Sequence, residues 1–168
     1  MFESIQQPSK YVVFTMTGRE KTNLLRSLVY SGSVEPMVRQ TAVGIVKSAG
    51  RDDHWERLRR LHRFVQASVP YHREPVETFY RPTETLLNGG DCDDHVILLC
   101  SLAWSLRYPF IVEPLGDADS PYHYTCRIGW PPNDEPTGDS STRWASFETT
   151  IDAVAGEHVN DALRRIGP

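Results

Sequence analysis

The sequence predicts an α+β fold in which a layer of helices packs against a small antiparallel sheet. Apolar residues recur at helical spacing through most of the chain before Pro109. Runs with β-type alternation are concentrated after that proline, and turn residues separate them. Helices that come first, followed by strands that can pair antiparallel, are the pattern of an α+β domain.

Length and composition indicate one domain with a single core. The 168 residues are 39% apolar and 24% charged, as in ordinary globular proteins. We expect a single domain over residues 1–168, with a mainly helical layer in 1–70, a central core in 71–150 and a last helix in 151–168.

Charge and hydropathy argue against two classes of protein. The formal net charge is −4, whereas dedicated nucleic-acid binders are usually basic. The basic run Glu56–Arg63 spreads its arginines round a helix, which is typical of a solvated face. The longest apolar run, Val96–Trp104, is shorter than the ~18 residues of a membrane span. We therefore expect neither a nucleic-acid partner nor a membrane segment.

Two further observations predict a cytoplasmic protein. The stretch MFESIQQPSK at the N-terminus lacks the basic and then apolar regions of a secretory signal. The chain has three cysteines, an odd number that fits reduced thiols better than a disulfide framework.

The elements before residue 51 are predicted to be mostly helical. Tyr11–Thr15 is a short β-type run. Helices are expected within Thr22–Ser48, with a break at Ser31–Ser33 and a restart at Pro36, which suits a first helical turn. The second of these helices is expected to end at Gly50. Their apolar faces comprise Leu24, Leu25, Leu28, Val29, Val38, Ala42, Ile45 and Val46.

A third helix and a loop-rich connection follow. Asp52 or Asp53 can cap a helix that ends before Pro70. Proline and glycine punctuate the connection after it, and one short helix is expected near Pro82–Leu87. The apolar stripe of the third helix comprises Trp55, Leu58, Leu61, Phe64 and Val65.

The rest of the chain carries a cysteine helix and the strands. The helix is expected over Cys92–Leu106. The remaining elements are strands over Phe110–Leu115, Tyr122–Trp130 and Arg143–Thr149, an irregular excursion over Pro131–Thr142 and a last helix over Asp152–Ile166.

The segment NGGDCDDHVILLCSLAW, over Asn88–Trp104, places a cysteine at the start of a helix. Gly89 and Gly90 permit a sharp turn, and Asp91 then suits the N-cap. Cys92 becomes the first helical residue, with its sulfur near unpaired backbone N–H groups that lower a thiol pKa.

Opposing charges act on this cysteine. Asp91, Asp93 and Asp94 raise the thiol pKa and the helix dipole lowers it, each by about 0.3–1 kcal/mol. Neither effect decides whether Cys92 is a nucleophile. A nearby imidazolium would decide it, because a cysteine–histidine ion pair lowers a thiol pKa by several units.

Two later residues can complete a catalytic group. His123 lies on a polar face of the strand predicted over Tyr122–Trp130. Glu148 comes at the end of the alternating run Arg143–Thr149, and it would meet His123 if these two strands pair across the excursion. A carboxylate in that place would orient the imidazole.

These blocks resemble the transglutaminase-like cysteine enzyme superfamily. The core of that family has a Gly-Asp-Cys-Asp block that opens a helix, a strand with the catalytic histidine, and a Trp-x-x-apolar-Asp block. The matching stretches here are GGDCDD from Gly89, YHYTC from Tyr122 and RWASFETT from Arg143. The resemblance covers about Tyr71–Thr150, near half of the chain, and the cysteine block is its most specific part.

The resemblance implies a papain-related α+β fold and a covalent mechanism. Cys92 matches the nucleophile, His123 the base, and Glu148 the third position of the triad, where the family has Asp. It implies acyl transfer on a peptide or carboxamide bond, by hydrolysis or transamidation, with a peptide or protein substrate and no organic cofactor. The family includes crosslinkers, peptidases, amidases and small phage or bacterial members. A non-catalytic binding or structural module on the same fold, such as a phage-associated protein, is the alternative.

Two metal sites were possible alternatives, although we expect none. The pairs Cys92-x2-His95 and His123-x2-Cys126 mimic zinc ligands, but residues three apart on a strand point to opposite faces. The carboxylates of Asp91–Asp94 are hard oxygen ligands that suit calcium. The same block also resembles calcium-dependent periplasmic cysteine proteinases, a branch of the superfamily.

The other thiols and imidazoles have structural interpretations. Cys100 lies inside an apolar run and Cys126 faces away from His123, so both are expected in the core. The remaining histidines are expected to be structural or solvated, and they are His54, His62, His72, His95 and His158.

Overall fold

The structure, a computed structural model, describes residues 8–117, 119 and 121–167. Residues 1–7, 118, 120 and 168 of the predicted domain lie outside the described residues. Over the part described, the chain forms six α-helices and two small antiparallel sheets, so the predicted α+β class is confirmed. The elements are β1 (Lys10–Val12), α1 (Gly18–Ser33), α2 (Pro36–Val46), α3 (His54–Ser68), β2 (Thr78–Tyr80), α4 (Pro82–Asn88), α5 (Cys92–Ser105), β3 (Phe110–Gly116), β4 (Pro121–Trp130), β5 (Arg143–Phe147) and α6 (Val159–Ile166).

Helix α5 is the centre of the fold. Helices α1 to α4 pack round it on one side and strand β4 covers the other. Every residue from Asp93 to Trp104 is buried, which explains why the helix is apolar on almost all sides. Neither α5 nor any other helix among the described residues is both long and apolar enough to cross a membrane.

Helix α1 differs from the prediction at both ends. It begins at Gly18, earlier than expected, because Thr17 and Glu20 form a capping box there. It also runs through Ser31–Ser33, where a break was predicted. Gly32 allows close packing there, since a Cβ at this position would lie 2.3 Å from Pro82 Cγ. The chain turns only after Ser33.

Helices α2 and α3 follow the predicted apolar pattern. Helix α2 starts at Pro36 as expected but ends at Val46 rather than at Gly50. Asp53 caps α3, and its side chain accepts the backbone N–H of Glu56. Trp55 was assigned to the apolar stripe, yet it is 39% exposed.

The larger sheet has the predicted topology. Strand β4 lies between β3 and β5, and both pairings are antiparallel. Side chains of Tyr124, Cys126 and Ile128 are buried in the core, as the strand alternation predicted.

The smaller sheet and the last helix were predicted less well. Strand β2 pairs antiparallel with β1, but its sequence was assigned to a connection. Three residues are too few to show β-type alternation, and the pairing itself stabilises the strand. Strand β1 covers Lys10–Val12 instead of Tyr11–Thr15. Helix α6 begins at Val159 instead of Asp152, because His158 caps it and turns precede it.

Candidate active site

The glycine pair before α5 makes a turn that few other residues could make. Gly89 has φ of 80°, and a Cβ there would lie 2.2 Å from the backbone oxygen of Pro70. After this turn, Asp91 occupies the N-cap of α5, where its side chain accepts the backbone N–H of Asp93. Cys92 is therefore the first residue of α5, as predicted.

A buried carboxylate locks this turn in place. Asp94 is fully buried, and its Oδ1 accepts the backbone N–H of Tyr80 at 2.7 Å. Its Oδ2 accepts the backbone N–H of Asp91 at 3.1 Å, which closes a capping box. Gly90 lies against the same carboxylate, since a Cβ there would lie 2.4 Å from Asp94 Oδ2. Asp94 thus ties β2 to the start of α5.

A cleft of about 650 Å³ opens above the cysteine. Cys92 and His123 both line it, together with Tyr71. Leu115 from β3 and Val159 from α6 add apolar surface. The two residues that the sequence predicted as nucleophile and base therefore share one cavity.

The third predicted residue lies beside His123. Because β4 and β5 pair, the Glu148 carboxylate reaches the imidazole, with Oε2 at 2.7 Å from His123 Nε2. The Glu148 side chain is only 2% exposed, so it is not a solvated strand end. Its Oε1 accepts both the backbone N–H and the hydroxyl of Thr150, each at 2.7 Å.

The charge on Glu148 determines the tautomer of His123. Burial opposes ionisation of Glu148, but hydrogen bonds from His123 and Thr150 outweigh it and place its pKa below the ordinary value. An ionised carboxylate can only accept, so His123 Nε2 carries the hydrogen. The neutral ring then has its lone pair on Nδ1, which is the atom available to take a proton.

The Cys92 thiol is neutral in this arrangement. It donates to Asp93 Oδ1 at 3.3 Å. Burial raises the Cys92 pKa well above its ordinary value, and the charge of Asp93 raises it further. The backbone N–H of Tyr124 acts in the opposite direction. An ion pair with His123, which the sequence suggested, requires the thiol to leave Asp93 first.

Three acidic side chains crowd the start of α5. Burial raises the pKa of Asp91 to about 6 and that of Asp93 to about 7, and repulsion between carboxylates adds to both shifts. Burial likewise raises the pKa of Asp94 to about 8. The aspartates that start the helix therefore oppose formation of a thiolate, as the sequence predicted.

The donor atoms near Cys92 do not suit calcium. One ligand atom from each of Asp91, Cys92 and Asp93 lies within 4.8 Å of the others. Calcium takes six to eight oxygen ligands, whereas a sulfur sits inside this group. Asp94, a further ligand in the calcium alternative, uses both carboxylate oxygens for backbone amides.

The zinc pairs set aside on the sequence do not enlarge this group either. Among the described residues, the metal-like group does not include His95, His123 or Cys126. His95 is buried, and its Nε2 lies 3.4 Å from the Pro70 carbonyl oxygen. Cys100 and Cys126 are free thiols in the core, as expected.

Sequence reasoning missed two residues that support Glu148. Thr150 follows it by two positions, and both its backbone N–H and its hydroxyl donate to the carboxylate. His62 donates from Nε2 to the Glu148 carbonyl oxygen and is 3% exposed. A histidine within the apolar stripe of α3, between Leu61 and Val65, was the available signal.

Comparison of the chain with protein-family models, with curated proteins and with solved structures gives no match. The resemblance to the transglutaminase-like superfamily therefore rests on the residues named above and on the geometry that they adopt.

Replacement of Asp93 tests the state of the thiol. Asp93→Asn removes the negative charge beside the sulfur, so the Cys92 pKa should fall. Below the thiol pKa, each unit of decrease raises the thiolate fraction about tenfold. The rate of Cys92 alkylation by iodoacetamide, followed by mass spectrometry against pH, should rise near neutral pH. Asp134→Asn, the same change at an exposed position, is the control. A profile identical to that of the wild type would show that Asp93 does not hold the thiol.

Proposed function

We propose that this chain is a transglutaminase-like cysteine enzyme that transfers acyl groups from peptide or carboxamide bonds. One observation carries the proposal: a buried carboxylate holds His123, and that imidazole lines the same cleft as Cys92. A nucleophile, a base and a group that orients the base are the three parts that covalent acyl transfer needs. We propose in addition that the cysteine helix and the sheet are arranged as in papain-related folds.

The first half of the reaction forms a thioester. His123 Nδ1 takes the Cys92 proton, and the sulfur attacks the substrate carbonyl carbon to form a tetrahedral oxyanion. Glu148 stabilises the resulting imidazolium through Nε2–H. When the oxyanion collapses, the C–N bond breaks and the leaving amine takes the proton from Nδ1. The acyl group is then bound to Cys92 as a thioester.

The second half regenerates the thiol. Water or an amine gives a proton to His123 Nδ1 and attacks the thioester carbonyl. Collapse of the second oxyanion breaks the C–S bond, and the sulfur recovers the proton. Water yields an acid by hydrolysis, and an amine yields a new amide by transamidation.

The start of α5 supplies the oxyanion site. The cap uses the N–H groups of Asp93 and Asp94. Among the residues that the structure describes, none accepts the N–H of Cys92. This group can bind the oxyanion, with the positive end of the helix dipole behind it.

A second candidate function is a binding module without catalysis. The hydrogen bond from the Cys92 thiol to Asp93 favours it, because a neutral thiol is a poor nucleophile. Such a module would use the cleft to bind a peptide and would need neither His123 nor Glu148.

Covalent trapping separates these two functions. The protein is mixed with a library of amide-bearing peptides and quenched in acid, and its intact mass is measured. The proposal expects an acyl adduct on Cys92 in the wild type and none in Cys92→Ala, which keeps a good helix former in the first turn. In His123→Asn the adduct should form at least about a hundredfold more slowly. Peptide binding without an adduct in any variant would support the module.

Replacement of Glu148 tests the third position of the triad. Glu148→Gln keeps the size but removes the charge that stabilises the imidazolium, so kcat should fall more than KM changes. Glu148→Asp restores the charge on a shorter side chain and should lose less activity than the Gln variant. Steady-state kinetics with the peptide found by trapping measures both effects. Wild-type rates in Glu148→Gln would remove Glu148 from the mechanism.

Removal of metal tests the calcium alternative. The proposed steps use only groups of the protein itself and no metal, so turnover should survive dialysis against EDTA. Loss of activity that calcium alone restores, with Mg²⁺ as the control ion, would assign a metal to Asp91 and Asp93 and contradict the proposal.

A further inference from the structure

Glu148 lies just beyond the end of a strand. Strand β5 ends at Phe147, and the last register pair of the sheet joins Phe147 to Cys126. The peptide group after Phe147 therefore lies beyond the last register pair that fixes β5 against β4. Yet the position of the Glu148 carboxylate depends on the orientation of that peptide.

Helix α3 replaces the missing strand partner. His62 Nε2 contacts the Glu148 carbonyl oxygen, and a carbonyl only accepts, so Nε2 carries the hydrogen. Burial lowers the His62 pKa, which keeps the ring neutral. The His62 ring also packs edge-on against Phe147, with the ring centroids 5.7 Å apart.

The same helix holds the next residues too. Gln66, one turn after His62, donates from Nε2 to the carbonyl oxygens of Ile151 and Ala153 at 2.8 and 2.9 Å. Two side chains on one face of α3 thus bind three carbonyl groups of the segment that follows β5. His62 is the one that binds the residue in contact with His123.

We propose that His62 is a positioning residue that directs the Glu148 carboxylate onto His123 by holding the Glu148 peptide. Thr150 holds Oε1 and His62 holds the main-chain oxygen, so Oε2 faces the imidazole. The contribution of His62 to catalysis rests on the proposed function. Its effect on the contact between Glu148 and His123 does not, because that contact can be observed without turnover.

Two substitutions separate the hydrogen bond from packing. His62→Gln places an amide N–H near the former Nε2 position, whereas His62→Leu fills similar space without a donor. Both variants lose the ring contact with Phe147, so their difference isolates the donor. His54→Leu is the control on the same helix, because His54 contacts the Tyr108 hydroxyl at 3.0 Å and not the cleft.

The readout is the Nε2–H proton of His123 in NMR spectra of protein labelled with ¹⁵N-histidine. A proton shared with a buried carboxylate resonates far downfield and exchanges slowly. We expect this signal in the wild type, His62→Gln and His54→Leu. It should move upfield in His62→Leu, as in Glu148→Gln. In the Glu148→Gln background, His62→Leu should add little, because it acts through that carboxylate.

The kinetic expectation follows from the same geometry. Groups that orient a metal-binding histidine commonly contribute about ten- to a hundredfold in activity, and we expect the same order for a group that orients His123. His62→Leu should lower kcat by that order with little change in KM, and His62→Gln should restore most of it.

Three outcomes decide the matter. A wild-type His123 signal in His62→Leu would overturn the inference and leave His62 as a packing residue. If spectra of the wild-type protein showed the His62 ring hydrogen on Nδ1 rather than on Nε2, that would also overturn the inference. This result does not depend on whether any variant folds. Signals that change as expected, without any acyl adduct on Cys92, would uphold the inference while the proposed function fails.

Discussion

The carboxylate of Asp94 is the constraint on which the cleft depends. It is fully buried, and it accepts one backbone N–H from β2 and another from the N-cap of α5. Backbone hydrogen bonds with Pro70 and His72 also hold the turn at Gly90, and Asp94 adds its link to β2. The hydrogen bonds therefore couple the most buried helix to the edge of the site. Burial of an acid is unfavourable, and two backbone donors offset part of that cost. The gain is a fixed position for Cys92 at the start of a rigid element.

The other half of the site is held from the opposite side. Strand β4 carries His123, while Glu148 lies past the last register pair of β5 and needs support from elsewhere. Helix α3 provides it through His62 and Gln66. The N-terminal helices thus belong to the same unit as the cleft, since they enclose α5 and hold the segment that orients the imidazole. A layer that seemed from the sequence to be only structural contacts the residue that bonds His123.

Much of this arrangement could be predicted from local signals in the sequence. Contacts between residues distant in sequence could not. The glycine pair and Asp91 identified the start of α5, because turns and caps depend on a few adjacent residues. Strand alternation and the excursion between two strands predicted that Glu148 would meet His123. Gly32 was misread, because the close approach of Pro82 that explains it is a tertiary contact. His62 could not be placed either, since its partner lies 86 residues away and only the folded chain brings them together.

The electrostatics of Cys92 link the architecture to the chemistry. Burial raises the Cys92 pKa, and Asp93 and Asp91 at the start of α5 raise it further, so the fold itself opposes a thiolate. The N–H of Tyr124 and the helix dipole offset part of this effect. The Cys92 thiol is neutral and hydrogen-bonded to Asp93, so it can lose its proton only to a base close by. The free energy that the base gains on protonation must exceed the free energy that the carboxylates add to the thiolate. The buried Glu148 carboxylate accepts from His123 Nε2, where its charge would stabilise an imidazolium formed in the proposed reaction. In the proposed mechanism, proton transfer to His123 and attack by the sulfur would therefore be coupled, with the substrate carbonyl already in the cleft.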